Sequence, residues 1–160
     1  MTLPVRLIAA EGAQFERVLA GLSPTGGINL PACPVAEPAV LAMLSGLADT
    51  IRATFEPSAW WIICGTELVG LLSITALRDF GVIQIGYGVA PCSQARGHAT
   101  AAVAVLLAWA KSEPRVRAIY AETHTDNSAS QRVLTRNGFV PTGQRLDDED
   151  GEVLCWQADV

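Results

Sequence analysis

Charge is scarce in this chain. Only 17% of its 160 residues are Asp, Glu, Lys or Arg, and the balance is acidic, 16 against 11, for a net charge of −5. A phosphate backbone is tracked by a basic face, so a pI near 4.9 argues against a nucleic-acid partner. The same acidic balance tolerates cationic partners such as amines. Cysteine is present but unpatterned. Cys33, Cys64, Cys92 and Cys155 form no Cys-x-x-Cys pair and no Cys/His cluster, so neither a zinc site nor a disulfide framework is expected. Long apolar runs are missing as well. No stretch of about 18 uncharged apolar residues reads as a membrane span, and Met1-Thr2-Leu3-Pro4-Val5-Arg6 lacks the apolar region of a signal peptide. The expectation is a protein with no metal and no membrane association, in the cytoplasm. Oligomeric state is open, a homodimer included.

What is plentiful is apolar. Half of the chain is hydrophobic, which supports a real core and argues against extensive disorder. No repeat, low-complexity tract or linker divides it, so one domain over residues 1–160 is expected.

Period and punctuation place the elements. Residues 3–9 can form a first strand and residues 11–22 a helix stopping near Gly21. Residues 23–38, with four prolines and two glycines, make a loop. Val40, Leu41, Leu44, Leu47, Ala48 and Ile51 recur at helical spacing within residues 37–53. Strands over 59–64 and 68–76 flank the hairpin signal Gly65-Thr66-Glu67, and a third covers 81–89. An apolar helix follows over about 99–111, then a strand at 116–122 and a helix at 127–136 ending on Asn137-Gly138. Strands 139–146 and 152–158 close the chain around Asp147-Asp148-Glu149-Asp150-Gly151. The order β-α-α-β-β-β-α-β-α-β-β implies an α/β (α+β) fold with a mixed sheet flanked by helices.

The most informative stretch is Gln94-Ala95-Arg96-Gly97-His98-Ala99-Thr100, between strand 81–89 and the apolar helix. The first N–H groups of a helix lack intrahelical partners, and the dipole is positive there. A loop whose Gly97 lets an anion approach the main chain reads as a pyrophosphate cradle. On the preceding strand Gln84, Gly86 and Gly88 share one face, and Ile85, Tyr87 and Val89 the other. Two glycines on one face leave bare backbone beside which a ligand, a bend or a packed helix fits. Further on, Asn127-Ser128-Ala129-Ser130 opens a helix. Capping by Asp126, Asn127 or Ser128, with Ser128 and Gln131 in capping-box spacing, explains part of this run. Ser130 is left over.

The spacing Gln-x-x-Gly-x-Ala from Gln94 to Ala99 resembles the signature of the GNAT acetyltransferase superfamily. Arg96-Gly97-His98-Ala99-Thr100 resembles the form found in its ribosomal-protein-alanine N-acetyltransferase branch. Ile85-Gly86-Tyr87-Gly88-Val89 and Asn127-x-x-Ser130 with Gly138-Phe139 are similar to the family's strand and second signature. The resemblance implies a mostly antiparallel sheet with splayed central strands, and acetyl-CoA as co-substrate. It also implies direct transfer of the acetyl group to a primary amine, on a protein N-terminus or a small molecule. The cradle Gln94, Ala95, Arg96, Gly97, His98, Ala99 and Thr100 would hold the pyrophosphate. Backbone near Val89 would hold the pantetheine and thioester, Asn127 would contact CoA, and Ser130 would protonate the leaving thiolate.

The proton acceptor is a departure. Many relatives place a Glu two residues before the Gly-Tyr pair, where this chain has Gln84, an amide that cannot act as a base. Gln84 remains a candidate to position water or substrate, and Glu122 and His124 are candidate substitutes. A non-catalytic acetyl-CoA-binding or interaction module is the alternative that Gln84 supports. The side chains of Arg96 and His98 read as solvated at least as readily as phosphate-binding. Trp60 and Trp61 fall on opposite faces of a strand, one entering the core and the other free to cover a helix, an acceptor pocket or a partner, with core packing the preferred reading. The acceptor site is expected from the loop 23–38, the two early helices and the last hairpin.

Overall fold

Seven strands form one sheet in the order β1-β2-β3-β4-β5-β7-β6 in the computed structural model, which describes residues 3–160. The strands are β1 (Val5–Ala9), β2 (Ala59–Cys64), β3 (Glu67–Arg78), β4 (Val82–Val89), β5 (Ala118–His124), β6 (Val140–Asp147) and β7 (Gly151–Asp159). The helices are α1 (Gly12–Leu19), α2 (Pro38–Arg52), α3 (His98–Ser112) and α4 (Ser128–Arg136). Every neighbouring pair is antiparallel except β4 and β5. The parallel pair needs a crossover, and α3 is that crossover. The mixed, mostly antiparallel sheet flanked by helices is as expected, and element ends move by a few residues. α1 stops at Leu19, because Ala20 leaves helical geometry and Gly21 takes φ +78°. Val116 is buried but lies before β5.

Alternation along β2 sends its two tryptophans into two cores. Trp60 joins Ile62, Leu72, Ile83, Ile85, Val103, Leu106 and Ile119 beneath α3. Trp61 joins Phe15, Leu41, Ala48, Ile63 and Leu71 beneath α1 and α2. Trp61 is fully buried, and its Nε1 donates to Gln14 Oε1 at 3.0 Å. Trp60 is buried too and meets Trp109 edge-on at 5.1 Å. Both rings are therefore core, and neither is left to cover a partner.

The feature that positions the site is a divergence in mid-sheet. β4 pairs with β5 only from Val82↔Ala118 to Ile85↔Ala121, while it stays paired with β3 as far as Gly70↔Val89. β5 meanwhile keeps pairing with β7 to His124↔Val153. Residues 86–89 thus have a partner strand on one side and a gap on the other.

The cysteines correct an expectation. Cys33 and Cys92, 59 residues apart, form a disulfide, while Cys64 and Cys155 are free. Spacing could not reveal it, because the partners sit in a proline-rich loop and a short 3-10 turn (Pro91–Ser93) that meet only in the folded chain. Among the described residues no helix is long and apolar enough to cross a membrane.

Candidate functional site

A cleft of about 610 Å³ lies where β4 parts from β5, between the N-terminal ends of α3 and α4. It gathers Val89, Gln94, Ala95, Gly97, His98, Ala99, Thr100, Asn127 and Ser130, residues that span three separate segments. Arg96, Gln84 and Glu122 are not part of its lining.

The floor is backbone. The Ala90 N–H donates to Val69 O at 2.7 Å, so alternation along β4 turns the Val89 N–H away from β3 and into the gap. The Val89 carbonyl, facing the same way, accepts from Gln94 Nε2 at 3.1 Å. That bond ties the first residue of the cradle to the end of the strand. One wall is the turn into α3. Ala95 at φ 63° and Gly97 at φ 79° are both left-handed, a pattern that turns successive N–H groups towards one concavity. No side chain caps α3. Its first-turn N–H groups and the positive end of its dipole therefore face the cleft unspent, which suits an anion of pyrophosphate type.

His98 departs from its expected solvated position: only 7% of it is exposed. Burial lowers its pKa, the nearby Arg96 lowers it further, and Glu67 opposes both. The ring is therefore neutral at physiological pH. Arg96 itself is exposed. Two other guanidinium groups line the cleft, Arg132 and Arg136 of α4, which sequence reading passed over. Their signal was there, since residues four apart share a helix face.

The opposite wall is the start of α4. Asn127 is its N-cap, with Oδ1 accepting from the Ser130 N–H at 3.1 Å. Gln131 is no capping-box partner, because its Nε2 donates to the carbonyls of His124 and Thr125 at 3.1 and 3.0 Å. The Ser130 hydroxyl lies 2.9 Å from the Tyr87 hydroxyl. Burial raises the Tyr87 pKa and the bond with Ser130 offsets part of that rise. The sequence places Tyr87 on a strand face and within the family-like run Ile85–Val89, and neither pattern points to this bond.

Gln84 and Glu122 meet on the other face of the sheet. Gln84 Nε2 donates to Glu122 Oε1 at 3.2 Å, and Arg78 Nη1 donates to Gln84 Oε1 at 3.3 Å. Glu122 also accepts from Tyr120 at 3.0 Å and from two nitrogens of Arg145, Nε and Nη2. Arg145, then burial in opposition, then Tyr120 set its pKa, and the outcome is below the ordinary carboxylate value. So engaged, Glu122 is a fixed anion poorly matched to taking a proton near neutrality. His124 is exposed, 3.8 Å from Asp150.

The disulfide links this site to the proline-rich loop. Cys92 stands two residues before the cradle, and its N–H donates to Cys33 Sγ at 3.1 Å. Cys33 also lines a smaller apolar cavity of about 320 Å³ between the loop, α1 and α2, with Leu30, Val35 and Leu41 among its walls.

Comparison with known proteins agrees with this geometry. The family model described as Acetyltransferase (GNAT) domain matches residues 37–140. A solved structure of RimL, a ribosomal L7/L12 alpha-N-protein acetyltransferase in complex with coenzyme A, is 19% identical with a TM-score of 0.71. The match covers 98% of this chain and 94% of that one. An acetyltransferase from Salmonella typhimurium that modifies the N-terminal serine of ribosomal protein L7/L12 is 16% identical, with TM-score 0.74 and coverage of 98% and 95%. Aminoglycoside acetyltransferase AAC(6')-Ib in complex with coenzyme A is 17% identical, with TM-score 0.67 and coverage of 99% and 95%. At these identities the likeness is one of fold. No curated protein sequence matches.

Proposed function

Because the chain belongs to the GNAT acetyltransferase family, we propose that it is an acetyl-CoA-dependent N-acetyltransferase acting on a primary amine by direct attack. The observation that carries this reading is the cleft, which brings an uncapped helix N-terminus, an open strand edge and a hydroxyl to one place.

Acetyl-CoA fits the residues present. The N–H groups of Gly97, His98, Ala99 and Thr100, with Arg132 and Arg136 nearby, would hold its phosphates. The gap beside residues 86–89 would take the pantetheine arm as an added strand-like segment. Bound there, acetyl-CoA supplies an activated acyl group. The Val89 N–H points into the gap and would donate to the thioester oxygen as charge develops on it. Ser130 would give its proton to the departing sulfur. Asn127 would act mainly by fixing the helix start that carries Ser130.

The acceptor would approach from the face of Gln84 and Glu122. Because Arg145 and Gln84 occupy the Glu122 carboxylate, these groups orient that wall and the amine loses its proton to water. RimL, which shares the fold, is described as an alpha-N-protein acetyltransferase, so a protein N-terminus is the first acceptor class to test. Small amines come second, after the aminoglycoside enzyme. A CoA-release assay over N-terminal peptides and small amines tests the reading. Release that depends on the amine supports it, and none with any amine by a protein that binds acetyl-CoA contradicts it.

A further inference from the structure

Ser130 is gripped from two sides. Asn127 Oδ1 accepts its backbone N–H at 3.1 Å, and the Tyr87 hydroxyl faces its carbonyl oxygen at 3.3 Å and its Oγ at 2.9 Å. Tyr87 stands on β4 two residues beyond Ile85, the last one paired with β5. Its ring therefore crosses the open gap and ties the strand that ends at Val89 to the first turn of α4. Alternation puts Tyr87 and Val89 on the same face.

Each hydroxyl has one proton, and its direction decides what Ser130 can do. If Tyr87 donates to the Ser130 carbonyl, the Ser130 proton closes back on Tyr87 and none is offered to the cleft. If Tyr87 donates to Ser130 Oγ, the Ser130 proton is free to point into the cleft. In the second arrangement Tyr87 donates over 2.9 Å rather than over 3.3 Å, and the Ser130 carbonyl is left to the backbone N–H four residues on in α4.

We propose that Tyr87 is a positioning residue of the acetyl transfer, donating to Ser130 Oγ so that the Ser130 proton is presented to the leaving sulfur. This rests on Ser130 being the proton donor in the reading above. As the amine nitrogen bonds to the acetyl carbon, the carbon–sulfur bond breaks with its electron pair on sulfur. Sulfur takes the Ser130 proton, and the proton shed by nitrogen returns through water to Ser130. Tyr87 keeps its own proton, as burial favours, and stabilises the charge on Oγ while Ser130 is deprotonated.

The test combines Tyr87→Phe and Ser130→Ala, singly and together, with CoA-release kinetics and acetyl-CoA affinity by calorimetry. Tyr87→Phe is expected to lower kcat about tenfold, the size of one charge-assisted hydrogen bond, with affinity within about twofold. The double variant is expected to be no slower than Ser130→Ala alone. An ultraviolet titration of tyrosinate adds a readout independent of turnover. The chain has two tyrosines, so in a Tyr120→Phe background Ser130→Ala should move the Tyr87 ionisation upward. Full speed in Tyr87→Phe beside a slow Ser130→Ala overturns the role of Tyr87 and spares that of Ser130. Full speed in Ser130→Ala overturns both. Losses that simply multiply, or a Tyr87 ionisation that does not move, also overturn the proposal.

Discussion

A Cβ on Gly70 of β3 would stand 2.3 Å from the carbonyl oxygen of Gly88 on β4. The two strands touch closely at the level where β4 has already left β5, so their contact sets the position of the Val89 N–H. Gly70→Ala should push β4 towards the gap. The expected result is a loss of about 1–3 kcal/mol in denaturant unfolding, typical of overpacking, with weaker acetyl-CoA binding. Unchanged binding would mean that the β3–β4 contact does not position the cleft.

Gly97 is open in space but not in conformation. Nothing lies within 4 Å of a Cβ there, yet its φ of +79° disfavours any side chain. Gly97→Ala should cost about 1 kcal/mol of stability and leave a folded protein. Gly97→Glu adds a carboxylate beside the helix N-terminus and should raise the acetyl-CoA Kd at least tenfold more than Gly97→Ala does.

Arg132 and Arg136 face the same cleft from α4. Replacing either with Ala should raise the acetyl-CoA Kd by roughly 3- to 10-fold, as for one exposed phosphate contact. The salt dependence of binding should flatten, and kcat should hold. A fall in kcat at constant Kd would assign them elsewhere.

The Glu122–Arg145 pair makes a pH-dependent prediction. Arg145 holds the Glu122 pKa below the ordinary carboxylate value, so the pair stabilises the fold above that value and loses this effect as pH falls through the depressed pKa. Glu122→Gln should therefore lower Tm at pH 7, and the difference from the native chain should shrink in acid. A lower Tm that is independent of pH would contradict the ion-pair explanation. Loss of activity at pH 7 in a variant that stays folded and binds acetyl-CoA would restore Glu122 as a candidate base.

Removing the Cys33–Cys92 disulfide should act on both stability and site. Closing a loop of 59 residues stabilises by about 4 kcal/mol in chain-entropy terms, and Cys92 lies two residues before the cradle. Cys33→Ser or treatment with a dithiol should lower Tm and weaken acetyl-CoA binding. A cradle that binds equally well without the bond would limit the disulfide to a stabilising role.

Local signals carried the fold. The 3–4 spacing of α2, Gly65-Thr66-Glu67 at the β2–β3 hairpin and Asn137-Gly138 after α4 each reflect chemistry within a few residues. The cradle was legible for the same reason, since Gly97 and the helix start are neighbours in sequence. Contacts made across the sheet were not. Nothing near Cys33 announces Cys92, and nothing near Glu122 announces Arg145, 23 residues away and on a different strand. Tyr87 and Ser130 are 43 residues apart, so their bond appears only when β4 and α4 are in place. Burial of His98 likewise depends on how α3 packs, which the polar name of the residue concealed.

Acetyl-CoA binding at the N-terminus of α3 is the premise of every catalytic role assigned above. Calorimetric titration of the purified protein with acetyl-CoA, beside Gly97→Ala and Gly97→Glu, measures it directly. One molecule bound per chain, weakened in Gly97→Ala and abolished in Gly97→Glu while both variants stay folded, is the predicted result. No heat of binding from the folded native protein, or equal binding by all three, would contradict it.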